Sequence, residues 1–157
     1  MDTSRPLNAG PAPSAGRAGA SSATAPATAS SAASARLSEL AAAKYLLFTT
    51  HRRNGTPVNT PVWVARDGDA LVFTTVTRTG KVKRLRNRSD VLVGPSDIRG
   101  TLLGEQVPAT AVLDSARAPA YRRLLRRKYG PLCAIALTAN VLRFGKGGTI
   151  GVRVTLD

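Results

Sequence analysis

Hydrophobic and polar positions alternate through residues 57–66, and this period of two predicts a β-strand. Val58, Val62 and Val64 fall on one face of the strand, with polar or aromatic neighbours between them. Pro61 lies within the same stretch. Because proline cannot donate a hydrogen bond to a sheet ladder, the strand is expected at a sheet edge or at a bulge.

A tight turn and a second strand follow this first one. Asp67-Gly68 is typical of a two-residue hairpin, because a type I′ turn needs residues that accept positive φ. The next strand, residues 70–77, changes from apolar side chains to threonines as it approaches a run of cations. Apolar packing therefore ends where hydroxyls and positive charges begin, which is typical of a site for a flat, phosphorylated ligand.

The same patterns divide the rest of the chain into short elements. They predict strands at about 45–52, 57–66, 70–77, 90–94, 106–113 and 149–156, and helices at about 37–43, 79–88, 119–129 and 131–143. The first three strands are expected to form a meander, because Asn54-Gly55 is a second hairpin signal. The helix at 131–143 is nearly all apolar, which predicts that it is buried or lies in an interface. Six short strands with short flanking helices favour an α+β fold built on a small antiparallel barrel.

The amino-terminal segment differs in composition from the remainder. Residues 1–35 are almost wholly Ala, Ser, Pro, Gly and Thr, and they predict a disordered tail because they have little apolar surface to bury. Residues 36–157 are then a single domain. The apolar run at 131–142 is too short to span a bilayer, so no membrane partner is expected. Cys133 is the only cysteine and cannot form an intrachain disulfide, which favours a cytoplasmic location.

The net charge of +14 indicates an anionic partner. Six cations lie between Arg78 and Arg88, and six more lie between Arg117 and Lys128. Nucleic acid, anionic lipid and a polyanionic small molecule all fit such a surplus. Aromatic residues make up only 4% of the chain, so platforms on which bases could stack are scarce. That scarcity disfavours nucleic acid.

Residues for protein-based catalysis are sparse. The sequence has no recognisable catalytic triad, metal-ligand cluster or Walker loop, and no metal site is predicted. His51, the only histidine, lies beside two arginines at a strand end and is interpreted as an exposed turn residue. No catalytic residue can be named from this pattern. If the protein is an enzyme, a bound cofactor should supply the difficult step.

The start of the helix at 79–88 offers a candidate phosphate site. Thr79 is a plausible N-cap residue, and its hydroxyl is expected to accept a hydrogen bond from a first-turn amide. A helix N-terminus presents free amides and the positive end of the helix dipole. Lys81 and Arg84 are three residues apart and therefore share one face. A solvated basic face and a nucleic-acid surface are the competing interpretations.

Several longer stretches resemble one protein family. The stretches are LLFTTHRRNGTPVNTPVWV at 46–64, FTTVTRTGK at 73–81, KRLRNRSDV at 83–91 and RRKYG at 126–130. Taken together, they are similar to the split-barrel flavin-binding family typified by pyridoxamine 5′-phosphate oxidase, and most similar to its F420-dependent oxidoreductase branch.

The resemblance implies a split antiparallel β-barrel of the FMN-binding type and a homodimer with the cofactor at the subunit interface. It implies that Lys81 binds the cofactor phosphate with help from Arg84, and that a small organic substrate accepts a hydride from reduced coenzyme F420. The remaining cofactor-binding residues implied by the family are Thr60, Pro61, Val62 and Trp63 along the ring, and Thr74 and Thr75 on the next strand. Thr79 is a further candidate because it lies at the helix N-terminus.

Four functional alternatives remain at this stage. The first is the F420-dependent oxidoreductase, and the second is an FMN-binding oxidoreductase of the same fold. FMN oxidases of the family carry an arginine and a lysine where this chain has Asn59 and Val64, which favours F420. A non-catalytic carrier of flavin or F420 would share the same features. A basic nucleic-acid-binding barrel would explain the charge without any cofactor.

Overall fold

The computed structural model describes residues 25–157, and within that range the chain forms a β-sheet with four α-helices. The strands are β1 (Tyr45–His51), β2 (Pro57–Val62), β3 (Ala65–Asp67), β4 (Ala70–Val76), β5 (Asp90–Ser96), β6 (Val107–Asp114) and β7 (Thr149–Leu156). The helices are α1 (Ala25–Ala42), α2 (Gly80–Asn87), α3 (Ala118–Tyr129) and α4 (Pro131–Phe144), with a short 3₁₀ turn at Lys146–Gly148.

The seven strands form one antiparallel sheet in the order β2-β1-β5-β6-β7-β4-β3. β2 and β3 are consecutive in the chain but lie at opposite edges of the sheet, with only Trp63 and Val64 between them. A link of two residues spans less than about 10 Å, so the sheet must curl until its edges almost meet. The α+β split antiparallel barrel is therefore confirmed, and so is the edge position of Pro61.

Two sequence predictions about the strands are wrong. The stretch at 57–66 is two strands rather than one, because the chain leaves the β1 edge after Val62 and pairs with β4 from Ala65 onward. For the same reason the first three strands are not a meander: β1 and β2 form a hairpin, whereas β4 lies on the far side of the sheet. Local sequence patterns show which residues alternate, but they do not show which edge of the sheet a residue joins.

The sheet separates two hydrophobic cores. Alternate residues of β1 and β4 point into the barrel, where the rings of Phe48 and Phe73 meet edge to face at 4.9 Å. On the outer face, Val72 packs under α3 against Tyr121 and Leu125. Because side chains alternate between the two faces of a strand, each residue of β1, β2 and β4 can be assigned to one of these sides.

Helix α1 contributes to the inner core and is longer than predicted. Leu37 and Leu40 are buried there beside the strand residues, as expected for a helix near 37–43. The helix begins at Ala25, however, so residues 25–35 of the predicted disordered tail are helical. Alanine has the highest intrinsic helix propensity, and a packed helix can extend through an alanine-rich stretch. Residues 1–24 lie outside the part of the chain that is described.

Side chains from α3 bind the backbone at the seam between the two sheet edges. The Val64 amide donates to Tyr129 Oη at 3.0 Å, and Lys128 Nζ donates to the Val64 carbonyl at 2.8 Å. Lys128 also donates to the carbonyls of Ala41 and Ala43 at the end of α1, both at 2.7 Å. Burial lowers the pKa of Lys128 to about 8. The amide and the carbonyl of Val64, which lies between the two edge strands, are therefore both bonded by side chains of one helix.

Helix α4 is only partly covered. Cys133 and Leu137 are buried against the outer core, whereas Leu132, Ile135 and Leu142 are 76%, 67% and 82% exposed. The exposed residues recur at helical spacing and form an apolar stripe, which fits the expected interface better than a wholly buried helix. Among the described residues, no helix combines the length and the apolar character needed to cross a membrane.

Candidate functional site

The first turn of α2 lies over the ends of two strands and places two cations on two threonine hydroxyls. Lys81 Nζ donates to Thr75 Oγ1 at 3.0 Å, and Arg84 Nε donates to Thr50 Oγ1 at 2.6 Å. Thr50 follows the inner residue Phe48 by two positions, and Thr75 follows Phe73 in the same way. Both hydroxyls therefore lie on the inner face of the sheet. These four residues, Lys81, Arg84, Thr50 and Thr75, are called the Lys81–Arg84 cluster below.

The cluster carries positive charge without a counter-ion. Across residues 25–157, neither Lys81 nor Arg84 forms an ion pair with a carboxylate. Burial lowers the pKa of Lys81, and the charge of Arg84 lowers it further. Burial likewise lowers the pKa of Arg84, with an added contribution from the charge of Arg52. Three neighbouring cations that disfavour one another's charge would be stabilised by a bound anion.

The helix N-terminus adds to this positive field. Thr79 is the N-cap residue, as predicted, but its hydroxyl donates to the Val76 carbonyl at 2.9 Å and makes no capping bond. The predicted capping role of that hydroxyl is wrong, because the preceding carbonyl is within its reach and competes for it. The first-turn amides of α2 therefore have no side-chain acceptor and are available to an anion.

Gly80 allows the arginine to reach back over the helix start. A Cβ atom at this position would lie 2.8 Å from Arg84 Nη1, closer than non-bonded atoms approach. The guanidinium therefore occupies the space that any larger residue would fill. This arrangement brings the charge of Arg84 next to the free amides of the first turn.

The remaining predicted site residues divide between the two faces of the sheet. Thr60 pairs with Phe48 and Val62 pairs with Leu46, so both lie on the inner side with the cluster. Pro61, Trp63 and Thr74 fall on the outer side by alternation along their strands. The structure thus joins Lys81 to Thr75 by a hydrogen bond, and it brings Arg84 close enough for its charge to lower the pKa of Lys81. The cofactor-binding roles of these three residues, and of Thr60, Pro61, Val62, Trp63, Thr74 and Thr79, remain predictions.

Pro61 and Trp63 do have a hollow of their own on the outer face. With Tyr45 and Ile98 they line a cavity of about 280 Å³. The Trp63 ring stacks on Tyr129 with centroids 5.5 Å apart, which holds the indole in one orientation. A flat ring could therefore lie on this surface against a rigid wall.

Sequence reasoning missed Thr50 and Arg52. Thr50 lies two residues after Phe48 in a strand that is buried on both faces, and a hydroxyl at that point is a signal that could have been recognised. Arg52 follows in the hairpin and acts on Arg84 only through the fold. Because Thr50 and Arg84 are 34 positions apart, their contact depends on how α2 packs on the sheet.

Comparisons with known proteins bear on the fold. No protein-family model matches the sequence, and no curated protein matches it. Among solved structures, an F420 reductase is similar at a TM-score of 0.52 and 19% identity, covering 76% of this chain and 91% of that one. A Listeria innocua protein named as a pyridoxamine 5′-phosphate oxidase is similar at 0.55 and 12%, covering 80% and 94%. HutZ, a heme storage protein from Vibrio cholerae, is similar at 0.55 and 12%, covering 78% and 89%.

These matches bear on the fold of the chain. Their sequence identities are low and their named ligands differ, so the matches bear on architecture alone. They cover most of this chain and most of each neighbour. The chain therefore has the split-barrel fold of the pyridoxamine 5′-phosphate oxidase-like proteins.

Proposed function

We propose that this protein is an F420-dependent oxidoreductase that reduces a small organic acceptor. The observation that carries the proposal is the Lys81–Arg84 cluster, in which two cations without a counter-ion lie at an uncapped helix N-terminus. The shared fold with an F420 reductase supports it.

The residues present fit an F420-type ligand better than FMN. FMN carries a single phosphate, whereas F420 carries a phosphodiester and several carboxylates and can use a wider basic field. Arg52 extends the field beyond Lys81 and Arg84. Val64 is fully buried in the inner core and Asn59 accepts a hydrogen bond from Thr49 at 2.8 Å. Neither position supplies the cation that the FMN oxidases of the family carry there.

The roles of the protein groups follow from their chemistry. Lys81, Arg84 and the first-turn amides of α2 would bind the phosphate of the cofactor, and the strand at Thr60–Trp63 would support its ring. When bound, the reduced deazaflavin supplies a hydride to the acceptor. The chain contributes orientation and a field of positive charge, which position a ligand at little cost in reorganisation. A cytoplasmic location is part of the same proposal.

Assembly as a homodimer completes the proposal. The apolar stripe of α4 exposes Leu132, Ile135 and Leu142 on a surface that is otherwise rich in arginine. A second copy would cover the stripe through a two-fold contact, in which each helix meets the same helix of its partner. The cofactor would then lie at the subunit interface, enclosed in part by the second subunit.

Titration with F420 and with FMN tests the function. Lys81→Ala should weaken F420 binding by about one to two decades, because a charge-assisted hydrogen bond is worth roughly 1.5–3 kcal/mol. Lys83→Ala is the matched control, since Lys83 is exposed on the same helix and contributes the same charge. Tighter binding of FMN than of F420 would reverse the choice of cofactor. Equal losses in the Lys81 and Lys83 variants would indicate an unspecific basic surface instead.

A further inference from the structure

A second cavity lies beside the end of β4. It has a volume of about 400 Å³, and its lining combines the cations Arg78 and Arg143 with the apolar side chains of Val76 and Phe144. None of these residues belongs to the Lys81–Arg84 cluster. The volume falls within the range of small-molecule pockets, so the cavity can be considered as a ligand site in its own right.

The walls of this cavity are tied together by hydrogen bonds. The Thr77 amide donates to the Gly148 carbonyl at 2.8 Å, and Thr77 Oγ1 donates to the Gly147 carbonyl at 3.2 Å. Arg122 Nη1 donates to Thr149 Oγ1 at 2.8 Å and holds the start of β7. The loop after α4 is thus attached to the turn after β4. Because the loop is already ordered, little conformational entropy of the loop would be lost when a ligand binds.

The charge in the cavity is not compensated by the chain itself. Neither Arg78 nor Arg143 forms an ion pair with a carboxylate in the described part of the chain. The Arg143 guanidinium lies 5.4 Å from the centroid of the Phe144 ring. A guanidinium group binds carboxylates through paired N–H donors, and the neighbouring phenyl face is suited to a second ring.

From this combination we infer that the cavity binds a small aromatic carboxylate. The carboxylate would accept hydrogen bonds from Arg78 and Arg143, and the ring of the ligand would pack on Phe144 and Val76. Inorganic phosphate would match the charge but would leave the apolar wall uncovered. A neutral aromatic amide would cover the wall but would leave both guanidinium groups without an anion. Neither Lys81 nor Arg84 lines this cavity, although Thr79 at the start of α2 donates to the carbonyl of its wall residue Val76. The cavity and the proposed F420 site are therefore neighbours that use different cations.

Titration of the full-length protein followed by ¹⁹F NMR tests this inference, with 4-fluorobenzoate as the probe and 4-fluorobenzamide as its neutral analogue. We expect saturable binding of the carboxylate and much weaker binding of the amide. Arg143→Gln should weaken 4-fluorobenzoate binding by about tenfold or more, the loss typical of one charge-assisted hydrogen bond. Arg123→Gln is the matched control, because Arg123 is exposed on α3 and does not line the cavity.

Two further measurements test the class of ligand and the independence of the site. Phe144→Leu should weaken the binding of 4-fluorobenzoate but not that of acetate, which has a carboxylate without a ring and is measured through its displacement of the probe. Lys81→Ala should leave the binding of both compounds unchanged. The inference is overturned if Arg123→Gln weakens binding as much as Arg143→Gln does. It is also overturned if phosphate displaces the probe more effectively than benzoate does, or if Lys81→Ala abolishes binding. Failure of the F420 titration would not affect any of these outcomes.

Discussion

Replacing Lys128 by methionine removes the ammonium group that joins α1, α3 and the seam of the barrel. Methionine keeps a similar unbranched apolar stem, so packing should change little. Three carbonyls, those of Ala41, Ala43 and Val64, lose a donor. Only the Val64 residue is fully buried, and water can replace part of the bonding at the other two.

The expected loss in the free energy of unfolding is therefore determined mainly by one buried carbonyl, that of Val64. An unsatisfied buried acceptor costs about 1–3 kcal/mol, and Tyr129 Oη lies 3.1 Å from the same carbonyl and can compensate in part. We expect Lys128→Met to lower the free energy of unfolding by about 1–2 kcal/mol at pH 10, where most of the desolvation cost of the ammonium is absent. For a domain of this size that corresponds to a fall in Tm of about 4–8 °C. Thermal unfolding followed by circular dichroism measures it.

The same residue gives the stability a specific pH dependence. Burial lowers the pKa of Lys128 from 10.5 to about 8 in the folded state, so between these values the unfolded chain binds more protons. Stability that depends on this group should therefore rise with pH across that window. Arg127→Met is the control, because Arg127 precedes Lys128 on the same helix and donates to none of these three carbonyls. The reasoning fails if both variants lose equal stability, or if wild type and Lys128→Met show the same slope from pH 8 to 10.

Three other outcomes follow from the structure. Leu40→Ala should lower the free energy of unfolding by about 2–5 kcal/mol, because Leu40 lies in the inner core. Deletion of residues 2–33 should leave Tm nearly unchanged, and thermal melts compare the two variants. Ile135→Asp should convert the proposed dimer to a monomer in light scattering at micromolar concentration, and an unchanged mass would reject α4 as the interface. Gly80→Ala should displace the guanidinium of Arg84 and weaken F420 binding several-fold. It should not lower Tm, because alanine favours the helix. Unchanged affinity for F420 would contradict the proposed role of Arg84.

Local signals were sufficient for most of the secondary structure. Apolar runs identified β1 and β4, and the rule that proline avoids central strands limited Pro61 to an edge or a bulge, of which the structure shows the edge. Helix α2 was predicted at about 79–88 and is found at Gly80–Asn87, where Val82 and Leu85, three residues apart, are its buried side chains. In each case the deciding interactions are between residues close in sequence, which is why pattern reasoning succeeds there.

The way the sheet curls to bring β2 near β3, and half of the candidate site, could not be predicted from local patterns. The division of the stretch at 57–66 depends on the curvature of the whole sheet, and the partners of Val64 are more than 60 residues away. Alternation could have separated Thr74 from Thr75 by face, but only the packing of α2 showed that Lys81 bonds the second of them. The resemblance to a family pointed to Lys81 and Arg84, and the fold added the threonine hydroxyls that orient them.

The hydrogen bond from the Val64 amide to Tyr129 has a consequence for how motions of this protein can be observed. Most amides of the sheet are bonded to another strand, so their exchange with solvent deuterium requires the sheet itself to open. The Val64 amide is bonded to a side chain of α3 instead, and it is freed whenever that helix lifts from the barrel. Its exchange rate therefore reports undocking of α3 alone. Comparison with the amide of Phe48, in a strand paired on both sides, would separate that local opening from global unfolding.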